Sequence, residues 1–159
     1  MSTIKVKVVE EGCMPVRSGK GKSDCFDLTL AETVTLKKGE LYVASLGVAM
    51  EIPKGMSARM YLRSSSPVDH KVMMANHVAV MDYRYNGDGD IWRCELVALK
   101  STVIPKGTRI CQFELVPSQF ATRFEKFKWL FGSKPTLKQV MHLGNKNRGG
   151  IGSTTRRKI

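Results

Sequence analysis

Apolar and polar positions alternate along this chain in short stretches, many of them followed by a glycine or proline. Lys5 to Val9 alternates polar and apolar, ending on two valines. Thr33 to Leu36 is rich in β-branched residues and ends at Lys37-Lys38-Gly39-Glu40. Leu41 to Met50 is a longer apolar run, closed by Pro53-Lys54-Gly55. Met56 to Leu62, Val72 to Met74, Val78 to Met81, Ile91 to Leu99 and Arg109 to Leu115 follow, with Pro105-Lys106-Gly107 as a further turn. A period of two puts successive side chains on opposite faces of a strand. Short strands at regular spacing with Gly and Pro between them predict an all-β sandwich or barrel. No strand–helix–strand rhythm appears, and the G-x-x-x-x-G-K-[ST] phosphate loop is absent.

One segment departs from this period. Phe120, Phe124, Phe127 and Phe131 recur at helical spacing, with Arg123, Lys126 and Lys128 between them. Residues 118–136 therefore contain an amphipathic helix. Its aromatic stripe either packs on the barrel or forms a protein or nucleic-acid surface. Beyond Pro135 the chain loses apolar bulk and gains Gly, Ser and Thr, as expected of an arm or phosphate loop rather than a core strand.

Composition narrows the function. The 159 residues suit one domain with a real core. Lys plus Arg number 26 against 14 Asp plus Glu, a net charge of +12, which points to an anionic partner. The basic residues are spread out, gathering only at the tail, Arg156-Arg157-Lys158. Cys13, Cys25, Cys94 and Cys111 are scattered, and His70, His77 and His142 lack zinc-ligand spacing. No apolar run is long enough for a membrane span and no secretory leader is visible, so a cytoplasmic protein is expected.

Four places have residues suited to chemistry. Arg63-Ser64-Ser65-Ser66 ends a strand with a guanidinium, hydroxyls and backbone N–H groups, a polyphosphate cradle. Asp82 stands at the end of an apolar strand, where a carboxylate either forms a turn or holds a water for attack on phosphorus. Tyr85, three residues on, has a ring that can pack on a sugar or base. Gln112 is expected on the face of Ile110, as a satisfied core group or a ligand contact. Arg148-Gly149-Gly150-Ile151-Gly152-Ser153-Thr154 is a glycine-rich stretch able to approach phosphate closely.

Together with Ser23-Asp24-Cys25-Phe26-Asp27-Leu28, these four places resemble the five ordered motifs of the trimeric dUTP diphosphatases (dUTPases) from about residue 3 to Thr154. The form resembles the branch of Bacillus and its phages through Gly87-Asp88-Gly89-Asp90-Ile91-Trp92 and the lead His142 to Asn145. The resemblance implies a jelly-roll-like distorted β-barrel over residues 1–144, with a helical insertion at 118–136. It also implies a homotrimer in which the arm, residues 145–159, closes over a neighbour's active site. Asp82 would orient the water attacking the α-phosphorus of dUTP, giving dUMP and pyrophosphate. Tyr85 would pack under the deoxyribose. A hairpin from Val72 to Ala79, with Asn76 and Val80, would read uracil. Asp27 would support Mg²⁺ indirectly through water, the ion being held mainly by substrate phosphates. Arg63, Ser64, Ser65 and Gln112 would hold the phosphates, and Arg148, Gly152, Ser153 and Thr154 would cover them from the arm. Several positions depart from the family pattern: Cys25-Phe26, Leu62, Ala79, Asn86 and Thr155. Ile151 takes a place often held by a stacking Phe, which shifts the aromatic lid elsewhere, with Trp92 as a candidate. The same fold also hosts dCTP deaminases and bifunctional enzymes, for which Glu95 is the available proton carrier. A regulatory or nucleic-acid-binding protein is a further alternative.

Overall fold

A computed structural model of the chain describes residues 3–18 and 22–149. The elements are β1 (Thr3–Val8), β2 (Val16–Arg17), β3 (Phe26–Thr29), β4 (Val34–Leu36), β5 (Leu41–Glu51), β6 (Met56–Leu62), α1 (Ser66–His70), β7 (Val72–Met74), β8 (Ala79–Asp82), β9 (Ile91–Ala98), β10 (Thr102–Ile104), β11 (Arg109–Pro117), α2 (Arg123–Phe131) and β12 (Thr136–Gln139). One five-stranded sheet has the order β12-β1-β5-β9-β7, a second β2-β3-β11-β6-β8, and β10 pairs with β4 in a small ladder. The expected all-β architecture is present as distorted, open sheets rather than a closed barrel.

The alternation read from sequence sets what faces inward. In β9, Trp92, Cys94, Leu96 and Ala98 are buried while Arg93 points out. In β1, Ile4 and Val6 are buried between exposed neighbours. Inner residues of both large sheets form one core, in which Trp92 of β9 meets Phe113 of β11 edge-on at 5.1 Å. Burying such a side chain contributes about 1.5–3 kcal/mol. Trp92 is wholly inside, so it cannot serve as an aromatic lid. All four cysteines are free, and among the described residues no helix is long and apolar enough to cross a membrane.

Two expectations change, and one left open is decided. First, β7 and β8 do not form a hairpin. β7 pairs with β9 and β8 with β6, so the turn between them carries the chain from one sheet to the other. His77, with φ of 57°, makes that bend in the left-handed region. Second, Thr136–Gln139 is a strand after all, laid parallel to β1 with Thr3 opposite Thr136. An exposed edge of β1 offers unpaired backbone groups, and these bind a polar segment as readily as an apolar one. Third, α2 buries none of its residues. A capping box closes its start, with Thr122 accepting from the Glu125 N–H and Glu125 accepting from the Thr122 N–H. Its aromatic side chains nevertheless face solvent: Phe124 is 65 % exposed and Phe131 74 %.

Candidate active site

Strand β6 organises the functional residues into two groups, one at each end. At its C-terminal end, Asp27 of β3 stands opposite Gln112 of β11, and Gln112 stands opposite Tyr61 of β6. Asp27 is only 2 % exposed, a carboxylate that needs charged partners to be tolerated there. It has them. Arg63 places Nε 3.3 Å from one carboxylate oxygen, and Arg109 places a guanidinium nitrogen 3.6 Å from the other. Ser18 donates its hydroxyl to the same carboxylate. Arg63 also donates to the Arg109 carbonyl at 3.3 Å. Both guanidinium groups keep open sides toward solvent, Arg109 more than Arg63. Two splayed arginines over a buried carboxylate form an anion site with a fixed geometry.

The serines beside Arg63 divide by role. Ser66 is buried and its Oγ donates to the Ile110 carbonyl at 2.8 Å, locking the loop. Ser64 and Ser65 are exposed and unclaimed. Gln112 does not share the face of Ile110. The pairing of β11 with β3 shifts between Arg109 and Cys111, a bulge that leaves both Ile110 and Cys111 buried. The extra residue reverses the alternation, so Gln112 shares a ladder position with Asp27 instead. No pattern in the sequence marks that bulge.

At the other end of β6, Asp82 ends β8 opposite Ser57. Arg84 wraps its carboxylate: the backbone N–H donates to Oδ1 at 2.9 Å, Nε lies 3.3 Å from both oxygens and Nη2 donates to Oδ2 at 2.8 Å. Arg148 approaches Oδ2 at 3.9 Å. The hydrogen bond from the Arg84 side chain is the chief reason that Asp82 is held below the ordinary carboxylate range, with partial burial opposing it. Tyr85 is half-buried against the core and its hydroxyl donates to the Ile91 carbonyl at 2.9 Å, so the ring is fixed at both ends. Burial pushes its phenol up. Val80 is 66 % exposed and Asn76 is exposed in the turn before β8. A cavity of about 240 Å³ beside Asp82 is lined by Ser57, Arg59, Val80, Tyr83 and Phe120. Phe120 supplies this cleft with an aromatic that the helical spacing assigned to a different task. Arg84 and Arg109 were equally hidden, one because it is a turn residue and the other because its partner lies on another strand.

The two groups are far apart. Arg63 lies six residues beyond Ser57, about 20 Å along a strand at roughly 3.3 Å per residue. Within one chain Arg63 and Asp82 therefore stand too far apart to meet at one phosphorus atom. Gly152, Ser153 and Thr154 lie outside the described residues. Among the described residues no three or more His, Cys, Asp or Glu side chains converge as a metal cage. Asp27 is already saturated by two arginines and a serine. Such a donor set fits Mg²⁺ delivered on a polyphosphate, because that ion keeps much of its water and needs few protein ligands.

Comparison with known proteins identifies the family and the fold. The dUTPase family model matches residues 12–129. The SPbeta prophage-derived deoxyuridine 5'-triphosphate nucleotidohydrolase of Bacillus subtilis (strain 168) is 38 % identical over 151 residues, covering 95 % of this chain and 96 % of that protein. Among solved structures, the dUTPase from Streptococcus mutans superposes with a TM-score of 0.67 at 20 % identity, covering 74 % of this chain and 98 % of that one. The G164S mutant of the Staphylococcus bacteriophage 80alpha dUTPase with dUpNHpp superposes at 0.63 and 23 % identity, covering 97 % and 99 %.

Proposed function

This chain belongs to the dUTPase family and is a dUTP nucleotidohydrolase, and we propose that it carries out the reaction at sites shared between copies in a homotrimer. The separation of the two functional groups by the length of β6 supports this reading. Asp82 of one copy completes the cradle of Arg63, Arg109, Ser64, Ser65 and Gln112 of the next. A closed cyclic trimer gives every Asp82 such a partner.

Chemistry at the joined site follows from the charges. The arginines and exposed serines grip the triphosphate and neutralise the charge that develops on the leaving group. Asp82 holds a water against the α-phosphorus. As the water oxygen bonds to phosphorus, the bond to the oxygen bridging the α- and β-phosphates breaks and pyrophosphate departs. Asp82 takes the water's proton and passes it to solvent, leaving dUMP. A carboxylate kept below its ordinary range is a weak base, so its main contribution is to orient the water before the proton moves. Tyr85, its hydroxyl held by the Ile91 carbonyl, offers a fixed ring for the deoxyribose to pack on. Asn76, Val80 and the turn before β8 face the base, and Phe120 stacks over the nucleoside. Mg²⁺, when bound with the triphosphate, would supply further positive charge there, and Asp27 contributes indirectly by fixing the two arginines. Arg148, with Gly152, Ser153 and Thr154 of the arm, covers the γ-phosphate.

Mixing two inactive variants tests the shared site. Asp82→Asn and Arg63→Ala each lose pyrophosphate release from dUTP. After unfolding and joint refolding, random assortment restores about one quarter of the sites in a closed trimer. A mixture as inactive as its components refutes the shared site.

A further inference from the structure

Asp90 is a carboxylate that the reaction above does not use, yet it is 1 % exposed. Its partners come from two segments 58 residues apart. Oδ2 accepts the Gly87 N–H at 2.9 Å within its own turn, and the Arg148 N–H at 2.9 Å. Oδ1 accepts the Gly149 N–H at 3.1 Å. Asp88, two residues earlier, accepts the Leu143 N–H at 2.8 Å, faces His142 Nδ1 at 3.1 Å and lies 3.5 Å from Lys7 Nζ. Asn147 completes the join by accepting the Gly89 N–H at 2.8 Å. The approach is close enough to need glycine: a Cβ on Gly87 would stand 2.6 Å from the Asn147 Cα.

From this we infer that the Gly87–Asp90 turn is a clamp for the root of the arm, and that Asp90 is the positioning residue that fixes the backbone from which Arg148 reaches phosphate. Charge-assisted hydrogen bonds from backbone N–H groups are strong and short-ranged. They fix the Arg148 backbone and leave its side chain free to reach. That side chain lies 3.9 Å from Asp82 of its own chain. The described root of the arm is thus held by its own chain, on a turn that begins two residues after Tyr85. The inference rests on the reading of Arg148 as a phosphate contact.

Asp90→Ala removes three acceptor contacts and frees the root. Trypsin then cuts after Lys146 and Arg148 about tenfold faster, as expected when a protected segment opens locally. KM for dUTP rises about tenfold, as for the loss of one such charged contact, while kcat falls less. Adding Arg148→Ala to Asp90→Ala costs little more, because Asp90 acts through Arg148. A merely structural role for Asp90 gives the opposite result, with the two losses multiplying. Gly87→Ala serves as the second variant. Gly87 does not need a left-handed φ, so the added methyl strains only the contact with Asn147 and leaves Asp90 in place. It reproduces the faster cleavage and the higher KM. Cleavage at the wild-type rate in both variants, or full multiplication in the double variant, overturns the clamp. A wild-type protein that releases no pyrophosphate from dUTP would refute the proposed function instead, and the cleavage rates would still judge the clamp.

Discussion

The two ends of β6 solve the problem of placing a charge in different ways. At the cradle end, Asp27, Gln112 and Tyr61 are fixed by strand register, and a buried carboxylate holds two arginines in place. At the other end, Asp82 is the last residue of its strand, with its side chain 31 % exposed, and it is ordered by a turn residue and an arm residue. On the proposed reading, the cradle joins binding to folding, since the same ion pairs serve both. The Asp82 end separates them, because its partners lie outside the core. A protein built in this way can lose its water-holding group without losing its fold, but it cannot loosen its phosphate grip so cheaply.

The largest expected effect breaks the second half of that contrast. Asp82→Asn keeps the shape and removes the charge that orients and deprotonates the water. A general base is worth about 10²–10⁴-fold, so kcat falls by that factor while KM and the melting temperature stay near the wild type. A large drop in melting temperature would mean that Asp82 is structural after all. Arg63→Ala tests the other half. It leaves Asp27 with fewer partners in a buried place, which costs about 1–3 kcal/mol of stability. The same change lowers kcat/KM for dUTP by about a hundredfold or more through the lost phosphate contact. Loss of kcat/KM with unchanged stability would show that the cradle and the fold are independent.

Much of this was legible in the sequence, for a physical reason. Strand alternation, turn glycines and the position of Asp82 at a strand end are local, and local signals survive in a linear reading. Strands at Val16–Arg17, Phe26–Thr29, Thr102–Ile104 and Thr136–Gln139 escaped because they are short or polar and owe their form to a partner strand. The bulge at Ile110 escaped for the same reason, and it moved Gln112 to the face of Asp27. The aromatic stripe of α2 read as helical, correctly, but its spacing is the same whether the stripe meets a core or solvent. Phe120 lies just before that helix and lines the Asp82 cleft, a placement set by the path from β11 and not by periodicity. The role of Asp90 in the Gly87 to Trp92 stretch is not legible in the sequence, because its arm partners are 58 and 59 residues away.

The smallest expected effect sharpens the contrast at the Asp82 end. Arg84 is the main cause of the lowered Asp82 value, through its side-chain hydrogen bonds and then its backbone N–H. The sign follows directly. A carboxylate whose folded value is depressed stays ionised to lower pH, and its function is lost as pH falls through that depressed value. The acid limb of kcat/KM reports this group in the free enzyme. Arg84→Ala removes the side-chain hydrogen bonds and keeps the backbone one, so the limb moves to higher pH, toward the ordinary carboxylate range. The melting temperature barely changes, because an exposed ion pair contributes little. Arg148, which acts on Asp82 more weakly from 3.9 Å, moves the limb less when replaced by alanine. Equal shifts for the two variants would make the arm as strong a partner of Asp82 as its own turn, and would place the control of this carboxylate in the clamp rather than in the strand end.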